Sequence, residues 1–550
     1  VNASLVDRAR AWIAADPDPD DRAQLRQLIE SNDEAELERR FATPLTFGTA
    51  GLRGPVMAGP SGMNRLTVRR ATQGVVAWLA AAGADPDRGV VVGRDARRGS
   101  EAFNDEVVGV LLGAGVSVIE MPCALPTPLV AFMVKALGAA AGIMVTASHN
   151  PPADNGYKLY AADGAQIVPP DDEIVERFSR DAATPTLAER SSARHRYVTD
   201  DELDAYRDHM VARFAVPGGS GLPIVYTALH GVGGSFMMDL FERAGYRNVT
   251  PVAAQFTPDG AFPTLPFPNP EEPGALDLAM ACADDAGADL VLANDPDADR
   301  LGAAVRVGGS WRVLRGDQMG WLLATSLLTV QGAPGDCVAT TIVSSTLLER
   351  LARDAGVAFA LTLTGFKWVA RAAQGGVLRF GYEEALGFAV DPMVADKDGM
   401  SAALAFARTA HDLAASGRTV VDRLDEIEST YGVHAVDQLS VRVEGPGGIA
   451  AIASSVRRLR EEPPSALGGL DVTAVHDLND GYLGLLPTDG LLMTLGSSGR
   501  VVVRPSGTEA KLKAYIEITP PAVGTLDEQR GVASSIVASV RHGLERLIDL

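Results

Sequence analysis

One pattern constrains this chain of 550 residues more than any other. A strand, a helix, a second strand, a second helix and a third strand opening onto a polar loop recur three times in succession. The first copy starts at Gly89-Val90-Val91-Val92-Gly93 and crosses a polar loop with Arg94, Asp95, Arg98 and Ser100. After a strand at 116–119 it reaches Gly142-Ile143-Met144-Val145 and then Thr146-Ala147-Ser148-His149-Asn150-Pro151. The second copy opens at Pro223-Ile224-Val225-Tyr226, passes a strand at Arg247-Asn248-Val249, and ends in Asp289-Leu290-Val291-Leu292-Ala293. That strand leads into Asn294-Asp295-Pro296-Asp297-Ala298-Asp299-Arg300. The third has strands at 337–343 and 357–363, with Ser344 opening its first helix, and Leu378-Arg379-Phe380 leads into Gly381-Tyr382-Glu383-Glu384-Ala385-Leu386. Spacings differ between copies, so the order of elements repeats and the sequence does not. Three similar α/β domains are expected, delivering a hydroxyl, a carboxylate cluster and a glutamate pair. Ligands of open α/β sheets gather at the carboxyl ends of the strands, so the three loops are expected to converge on one cleft.

The flanks are of another kind. Residues 1–40 are patterned as amphipathic helices, with Leu5, Ala9, Trp12 and Ile13 on one face. Leu25, Leu28 and Ile29 form a second stripe after an Asp-Pro-Asp-Pro break. Beyond residue 436 the pattern is of antiparallel strands, at 438–443 and around Val472, Leu492 and Val501, closed by a helix with Ile536, Val540 and Leu544. Ala510, Leu512, Ala514, Ile516 and Ile518 alternate there with Lys511, Lys513 and Glu517, which sets the first group inward and the second outward. The expected fold class is therefore α/β, with four domains, three of whose loops are expected to meet at one cleft. Three similar mixed-sheet α/β domains precede a smaller α+β C-terminal domain. Expected boundaries are 1–215 for the helices and first α/β domain, then 216–334, 335–435 and 436–550.

A formal net charge of −21 argues against general affinity for nucleic acid or anionic membrane. Any phosphate must then be met by cations gathered locally. Uncharged stretches such as 107–119 are too short to span a bilayer. Cys123, Cys282 and Cys337 stand apart without zinc or redox spacing, and the start of the chain lacks a signal-peptide pattern. A cytoplasmic protein, monomer or homodimer, is expected.

Asp295, Asp297 and Asp299 at alternate positions carry the strongest chemical signal. Three carboxylates so close repel by several kcal/mol even at an effective dielectric of about 20, and a hard cation removes that penalty. An all-oxygen set without His or Cys favours Mg²⁺ over zinc. A calcium loop of the EF-hand kind needs Gly and Glu where Arg300 and Arg306 stand. Ser148 ends an apolar strand, and Asn150, Pro151 and Pro152 force what reads as an exposed turn behind it. Arg53 lies among Gly48, Gly51 and Gly54, where backbone can approach a ligand closely. Arg504, Ser506, Gly507 and Thr508, with Lys511 and Lys513 beyond, form a compact anion cradle. No Walker lysine loop occurs and no GxGxxG follows a strand, which argues against nucleotide chemistry. A serine, a Mg²⁺ site, an anion cradle and the lysines Lys158, Lys367 and Lys397 suit phosphoryl transfer, which needs charge neutralised and groups aligned. Arg53 and Lys158 would face the metal across the phosphate. The glutamates suit vicinal sugar hydroxyls, and His149 and His230 are either acid–base groups or hydrogen-bonding supports.

Thr146-Ala147-Ser148-His149-Asn150-Pro151, Asp295-Pro296-Asp297-Ala298-Asp299-Arg300, Gly381-Tyr382-Glu383-Glu384 and Arg504-Pro505-Ser506-Gly507-Thr508-Glu509 resemble, in order, the four motifs of the α-D-phosphohexomutases. The resemblance runs from about Thr46 to Tyr515. It implies four domains around a central cleft and a resting enzyme phosphorylated on Ser148, with Mg²⁺ held by that phosphoserine, Asp295, Asp297 and Asp299. It implies that Arg53 and Lys158 flank the phosphoserine, with Lys158 a candidate general acid or base beside His149. Glu383 would read the sugar hydroxyls, with Arg300, Lys367 and Lys397 also facing substrate. Arg504, Ser506, Gly507, Thr508 and Lys513 would grip the phosphate that is not transferred. The activity so implied interconverts glucose 1-phosphate and glucose 6-phosphate, with glucose 1,6-bisphosphate as intermediate and activator. Where many members carry Ser after the two glutamates this chain has Ala385, followed by Leu386, and the long N-terminal region is similar to the branch that includes phosphopentose enzymes. Mannose and pentose phosphates are the rival substrates, and a Mg²⁺-dependent sugar-phosphate phosphatase is the rival from another class.

Overall fold

The computed structural model describes residues 3–48, 51–180, 182, 184–329, 332–443, 447–505 and 511–548. Continuous apolar runs of four or five residues become parallel strands covered on both faces. Ala141–Val145 and Leu290–Asn294 are buried at every position. In the first sheet Val118–Glu120, Val90–Arg94 and Ala141–Val145 lie side by side in parallel. The second repeats this arrangement with Val249–Pro251, Ile224–Thr227 and Leu290–Asn294. The third uses Ala358–Thr362, Cys337–Thr341 and Leu378–Glu383. In each copy the first strand of the pattern is central, and the third opens onto the chemistry-bearing loop. The second-copy strand begins two residues later than its sequence suggests, at Val249. Ser344 precedes the third-copy helix, which spans Leu347–Asp354.

Two compact units divide the chain: residues 1–314 with 387–408, and residues 315–386 with 409–550. In the first, helices Ala3–Ala15, Pro19–Glu30 and Glu34–Phe41 bury Leu5, Ala9, Trp12, Leu25, Leu37 and Phe41 together. Asp18 caps the second of them and Pro19 opens it, which explains the break between the two stripes. The strand Asp154–Ala161 extends the first sheet antiparallel to Ala141–Val145, and Leu52–Pro55 pairs antiparallel to Asp154–Ala161 at its edge. Arg53 and Lys158 ride on these two strands.

The second unit holds the third parallel sheet and a wholly antiparallel C-terminal sheet. The latter runs Ala435–Arg442, Lys511–Ile518, Gly499–Pro505, Leu491–Leu495, Leu470–Asp477 and Ala466–Leu467 in spatial order. Helices Gly448–Glu461 and Leu526–Ile548 pack on one face through Ile452, Val456, Val540 and Leu544. The other face differs from the sequence expectation. Leu492, Val502 and Tyr515 on it are buried with Ile342 and Val343 of the third domain. Glu517, expected outward in water, is only 5 % exposed. A long-range contact covers the polar face, which strand alternation has no means to register. No helix among the described residues is long and apolar enough to cross a membrane.

Candidate active site

Ser148 follows the buried strand Ala141–Val145 and is itself wholly buried, so the turn is not the exposed one its Asn and Pro residues suggest. Its backbone sits at φ 52°. For a residue with a side chain this left-handed region costs on the order of 1–3 kcal/mol and persists only where neighbours enforce it. Two hydrogen bonds enforce it here: Ser148 N–H donates to Thr146 Oγ1 at 2.9 Å, and Thr146 Oγ1 donates to Asp95 Oδ2 at 2.6 Å. Ser148 Oγ donates to Asp295 Oδ2 at 2.7 Å and lies 3.1 Å from His149 Nδ1.

The carboxylate loop is closed by its own flanks. Asn294 receives the Tyr226 hydroxyl at 2.8 Å and donates to Arg300 O at 2.7 Å, while Arg300 N–H donates to Asp295 Oδ1 at 3.0 Å. Ala298, at φ 56°, turns the chain between Asp297 and Asp299. Oxygens of Asp295, Asp297 and Asp299 lie within 4.8 Å of one another, and all three residues are buried. Lys158 Nζ bridges Asp297 Oδ2 at 2.7 Å and Asp299 Oδ2 at 2.6 Å, and Lys397 Nζ stands 2.9 Å from Asp299 Oδ2. Thr127 Oγ1 donates to Asp297 Oδ2 at 2.5 Å. Even so, Asp297 Oδ1 and Asp299 Oδ1 are buried without a hydrogen-bond partner.

Burial and the charges of Asp297 and Asp299 push the Asp295 carboxyl well above the usual range. Burial opposes ionisation of Asp299 too, but Lys158, Lys397 and Arg300 overcome it and hold this carboxyl well below that range. Burial, with Arg300 and Arg53 nearby, keeps the His149 imidazole neutral far below its ordinary value. Two orphaned carboxylate oxygens beside a third carboxylate and a serine hydroxyl, all oxygen and no sulfur or imidazole, fit a hard divalent cation.

Arg53 crosses this region, donating to Asn150 Oδ1 at 3.3 Å. Gly156 opposite leaves it room: a Cβ there would stand 2.5 Å from Thr146 O and 3.1 Å from Arg53 Cγ. Arg300 lies 3.8 Å from Asp299 Oδ1 and 3.8 Å from Glu271 Oε2. Ser148, His149, Arg53, Lys158, Asp295, Asp297, Asp299, Arg300 and Lys397 thus share one site in the first unit. His230 does not join it, its ring hydrogen-bonding Thr264 Oγ1 at 2.7 Å as a support for its own loop.

The second unit carries the other expected residues. Glu383 ends the strand Leu378–Glu383 and accepts from Gly365 N–H at 2.7 Å. Ser344 Oγ donates to Glu384 Oε2 at 3.0 Å. Leu386 follows at φ 61°, another left-handed residue on a chemistry-bearing loop. Lys367 lies in the buried helix Phe366–Val369 just after Gly365. Arg504 stands directly opposite Lys513 on neighbouring strands, so two cations share a face. Like charges so placed repel unless an anion lies between them. Ser506, Gly507 and Thr508 lie outside the described residues.

Sequence reasoning passed over Arg97, Thr127 and Asn294. Asn294 ends a buried strand and opens the carboxylate loop itself, and Arg97 lies in the polar loop after the strand Val90–Arg94, yet neither was given a role. Those positions were the available signal.

A buried serine facing a cluster of three carboxylates, on repeated α/β sheets, is an arrangement suited to phosphoryl transfer. The chain belongs to the phosphoglucomutase/phosphomannomutase family. Its alpha/beta/alpha domains I, II and III match residues 44–184, 204–308 and 315–431, and its C-terminal domain matches 441–528. A Haemophilus influenzae protein named "Probable phosphomannomutase" is 38 % identical over 83 % of this chain and 93 % of its own length. A Mus musculus phosphopentomutase is 34 % identical over 95 % of this chain and 91 % of its own. The crystal structure of a Burkholderia thailandensis phosphoglucomutase/phosphomannomutase family protein shares the fold with a TM-score of 0.69, at 20 % identity, over 91 % of this chain and 97 % of that one.

Proposed function

We propose that this phosphomutase carries its phosphoryl group on Ser148 and interconverts glucose 1-phosphate and glucose 6-phosphate through glucose 1,6-bisphosphate. The observation that carries the reading is Ser148 Oγ at 2.7 Å from Asp295, beside the unpartnered oxygens of Asp297 and Asp299. Held by Asp295, Asp297, Asp299 and the Ser148 oxygen, Mg²⁺ would supply Lewis-acid charge to the phosphoryl oxygens.

The chain's own residues do the rest. The bond from phosphorus to Ser148 Oγ breaks as the bond to the sugar O6 forms. The proton lost by the O6 hydroxyl ends on Ser148 Oγ. His149 Nδ1, 3.1 Å from that oxygen and kept neutral by burial, is placed to relay it. Lys158, ion-paired with two carboxylates, serves as fixed charge rather than as a base. After the bisphosphate turns over in the site, the bond from phosphorus to O1 breaks as the bond to Ser148 Oγ forms, and the serine proton ends on O1. Burial of Ser148 keeps water from the phosphoserine, which favours the mutase over the phosphatase. Glu383 binds sugar hydroxyls, and Arg504 with Lys513 holds the spectator phosphate together with Ser506, Gly507 and Thr508.

A phosphopentose is the second reading. It is favoured by near full-length similarity to a protein named phosphopentomutase, while Ala385 and Leu386 beside the glutamates leave the sugar open. The test is kcat/KM for glucose 1-phosphate, mannose 1-phosphate and ribose 1-phosphate with Mg²⁺ and the matching bisphosphate. Glucose 1-phosphate is expected to lead, with Ser148→Ala reducing turnover at least about 1,000-fold. A pentose lead keeps the mechanism and replaces the sugar. Steady release of inorganic phosphate without isomerisation removes the mutase reading.

A further inference from the structure

Arg97 has no place in the chemistry above, yet it is among the most engaged side chains of the first unit. Only 3 % exposed, it follows the strand Val90–Arg94 and reaches beneath the Ser148 turn. Its Nη2 donates to Ser148 O at 2.6 Å and Asn150 O at 2.5 Å. Its Nη1 donates to Pro151 O at 2.9 Å and Asp154 O at 3.1 Å. Nε lies 3.5 Å from Asp95 Oδ2, and the guanidinium stacks 4.8 Å from the Phe262 ring centroid. Four carbonyls from one short turn therefore point at a single planar cation.

The pairing with Asp95 gives this grip a direction. Asp95 Oδ2 accepts from Thr146, which in turn accepts the Ser148 N–H. Asp95 Oδ1 takes Arg97 N–H at 2.9 Å and Ser100 Oγ at 2.5 Å. Both ends of the Ser148 residue are thus anchored, its amide through Thr146 to Asp95 and its carbonyl to Arg97. A left-handed, non-glycine residue needs such restraint on both sides. A fork of fixed donors suits this task, and an ammonium on a flexible stem does not.

We propose that Arg97 is a positioning residue for phosphoryl transfer, holding the Ser148 turn so that Oγ is aimed at the carboxylate site. The inference rests on Ser148 being the phosphoryl carrier. It predicts that loss of the fork slows both loading and discharge of the serine while leaving sugar-phosphate affinity nearly unchanged.

The experiment compares the parent enzyme, Arg97→Met and Arg97→Lys, with Ser148→Ala as control. Phosphate on the Ser148 peptide is followed by mass spectrometry after mixing with glucose 1,6-bisphosphate, alongside kcat, KM and thermal melting. Arg97→Met is expected to lower kcat and the loading rate together by roughly 100-fold, with KM within about threefold, since a misaimed reacting group costs rate rather than binding. Arg97→Lys restores charge without the fork and is expected to stay at least about tenfold down. A folded Arg97→Met with parental kcat and loading overturns the proposal. If Arg97→Met does not fold, Arg97→Lys decides, and recovery to within about threefold of the parent overturns it. If the parent takes no phosphate on Ser148 and Ser148→Ala remains active, the carrier reading itself fails. Loading of the parent with equal loading of the variants removes the Arg97 proposal alone.

Discussion

At the scale of residues, charge crowding governs the active site. Asp295, Asp297 and Asp299 stand within 4.8 Å of one another, and Lys158 with Lys397 takes up the outer oxygens of the last two. Asp297 Oδ1 and Asp299 Oδ1 have no hydrogen-bond partner, an arrangement that suits a divalent cation. Asp297→Asn keeps the volume and an acceptor for Thr127 but removes one charge. Its apparent Mg²⁺ affinity is expected to fall by more than the roughly 10- to 100-fold typical of losing a group that merely supports a ligand. Titration calorimetry measures this directly. Mg²⁺ should also stabilise the parent by mass action, by about 2.7 kcal/mol at 100 times its dissociation constant, so that its melting temperature rises while the variant's stays nearly unmoved.

At the scale of elements, the turn after the strand Cys337–Thr341 is built around two buried carboxyls with opposite behaviour. Asp317 accepts from Ser345 N–H and the Tyr382 hydroxyl, each at 2.7 Å. Burial pushes its carboxyl up to about 7, despite those two donors. Glu517 accepts from Ser345 Oγ at 2.7 Å, His434 Nδ1 at 2.9 Å and Arg500 Nε at 2.9 Å. Burial raises this carboxyl as well, but the Arg500 charge and the His434 and Ser345 donors outweigh it and hold it below the usual range. The pH dependences follow in sign. Between about pH 4 and pH 7 the unfolded chain has released the Asp317 proton and the folded chain has not. Asp317 therefore stabilises the fold most in acid, and that contribution is lost as pH rises through 7. Asp317→Asn keeps the acceptor without the charge. Its stability relative to the parent should grow with pH across this window by on the order of a few kcal/mol. Denaturant titrations at several pH values check this, and a pH-independent difference would refute it. Glu517 acts in the opposite sense, contributing above its ordinary value and failing in acid.

At the scale of the whole molecule, the second unit shows how two of its domains are joined. Ile342 and Val343 bury Leu492, Val502 and Tyr515 of the C-terminal sheet. Arg500 donates to Ile342 O and Ser344 O while pairing with Glu517. Arg530 ties the helix Leu526–Ile548 to Glu428 and Asp425. Glu517→Ala leaves Arg500 and His434 facing an uncompensated gap. It is expected to destabilise this unit by about 3–5 kcal/mol, as removal of one member of a buried ionic cluster does. Calorimetric melting should show the loss in one transition with the heat of the others conserved.

Much of this was legible from the chain alone. The threefold strand–helix order, the loops ending in Ser148, the aspartates and the glutamates, and the alternation of the last sheet are local patterns. Burial of one face and the ends of strands leave such patterns in consecutive residues. What escaped were groups whose role depends on a distant partner. Arg97 holds Ser148 across 51 positions, Thr127 meets Asp297 across 170, and Glu517 meets Ser345 across 172. The same cause made Ser148 look exposed and Glu517 look outward. Hydrophobic periodicity is set by neighbours along the chain, so the sequence determined the elements, their order and the kinds of chemical group at their ends. Tertiary structure alone decided which buried polar atoms found partners and that Asp297 Oδ1 and Asp299 Oδ1 at the site were left without a hydrogen bond, because desolvation and hydrogen bonding act through space.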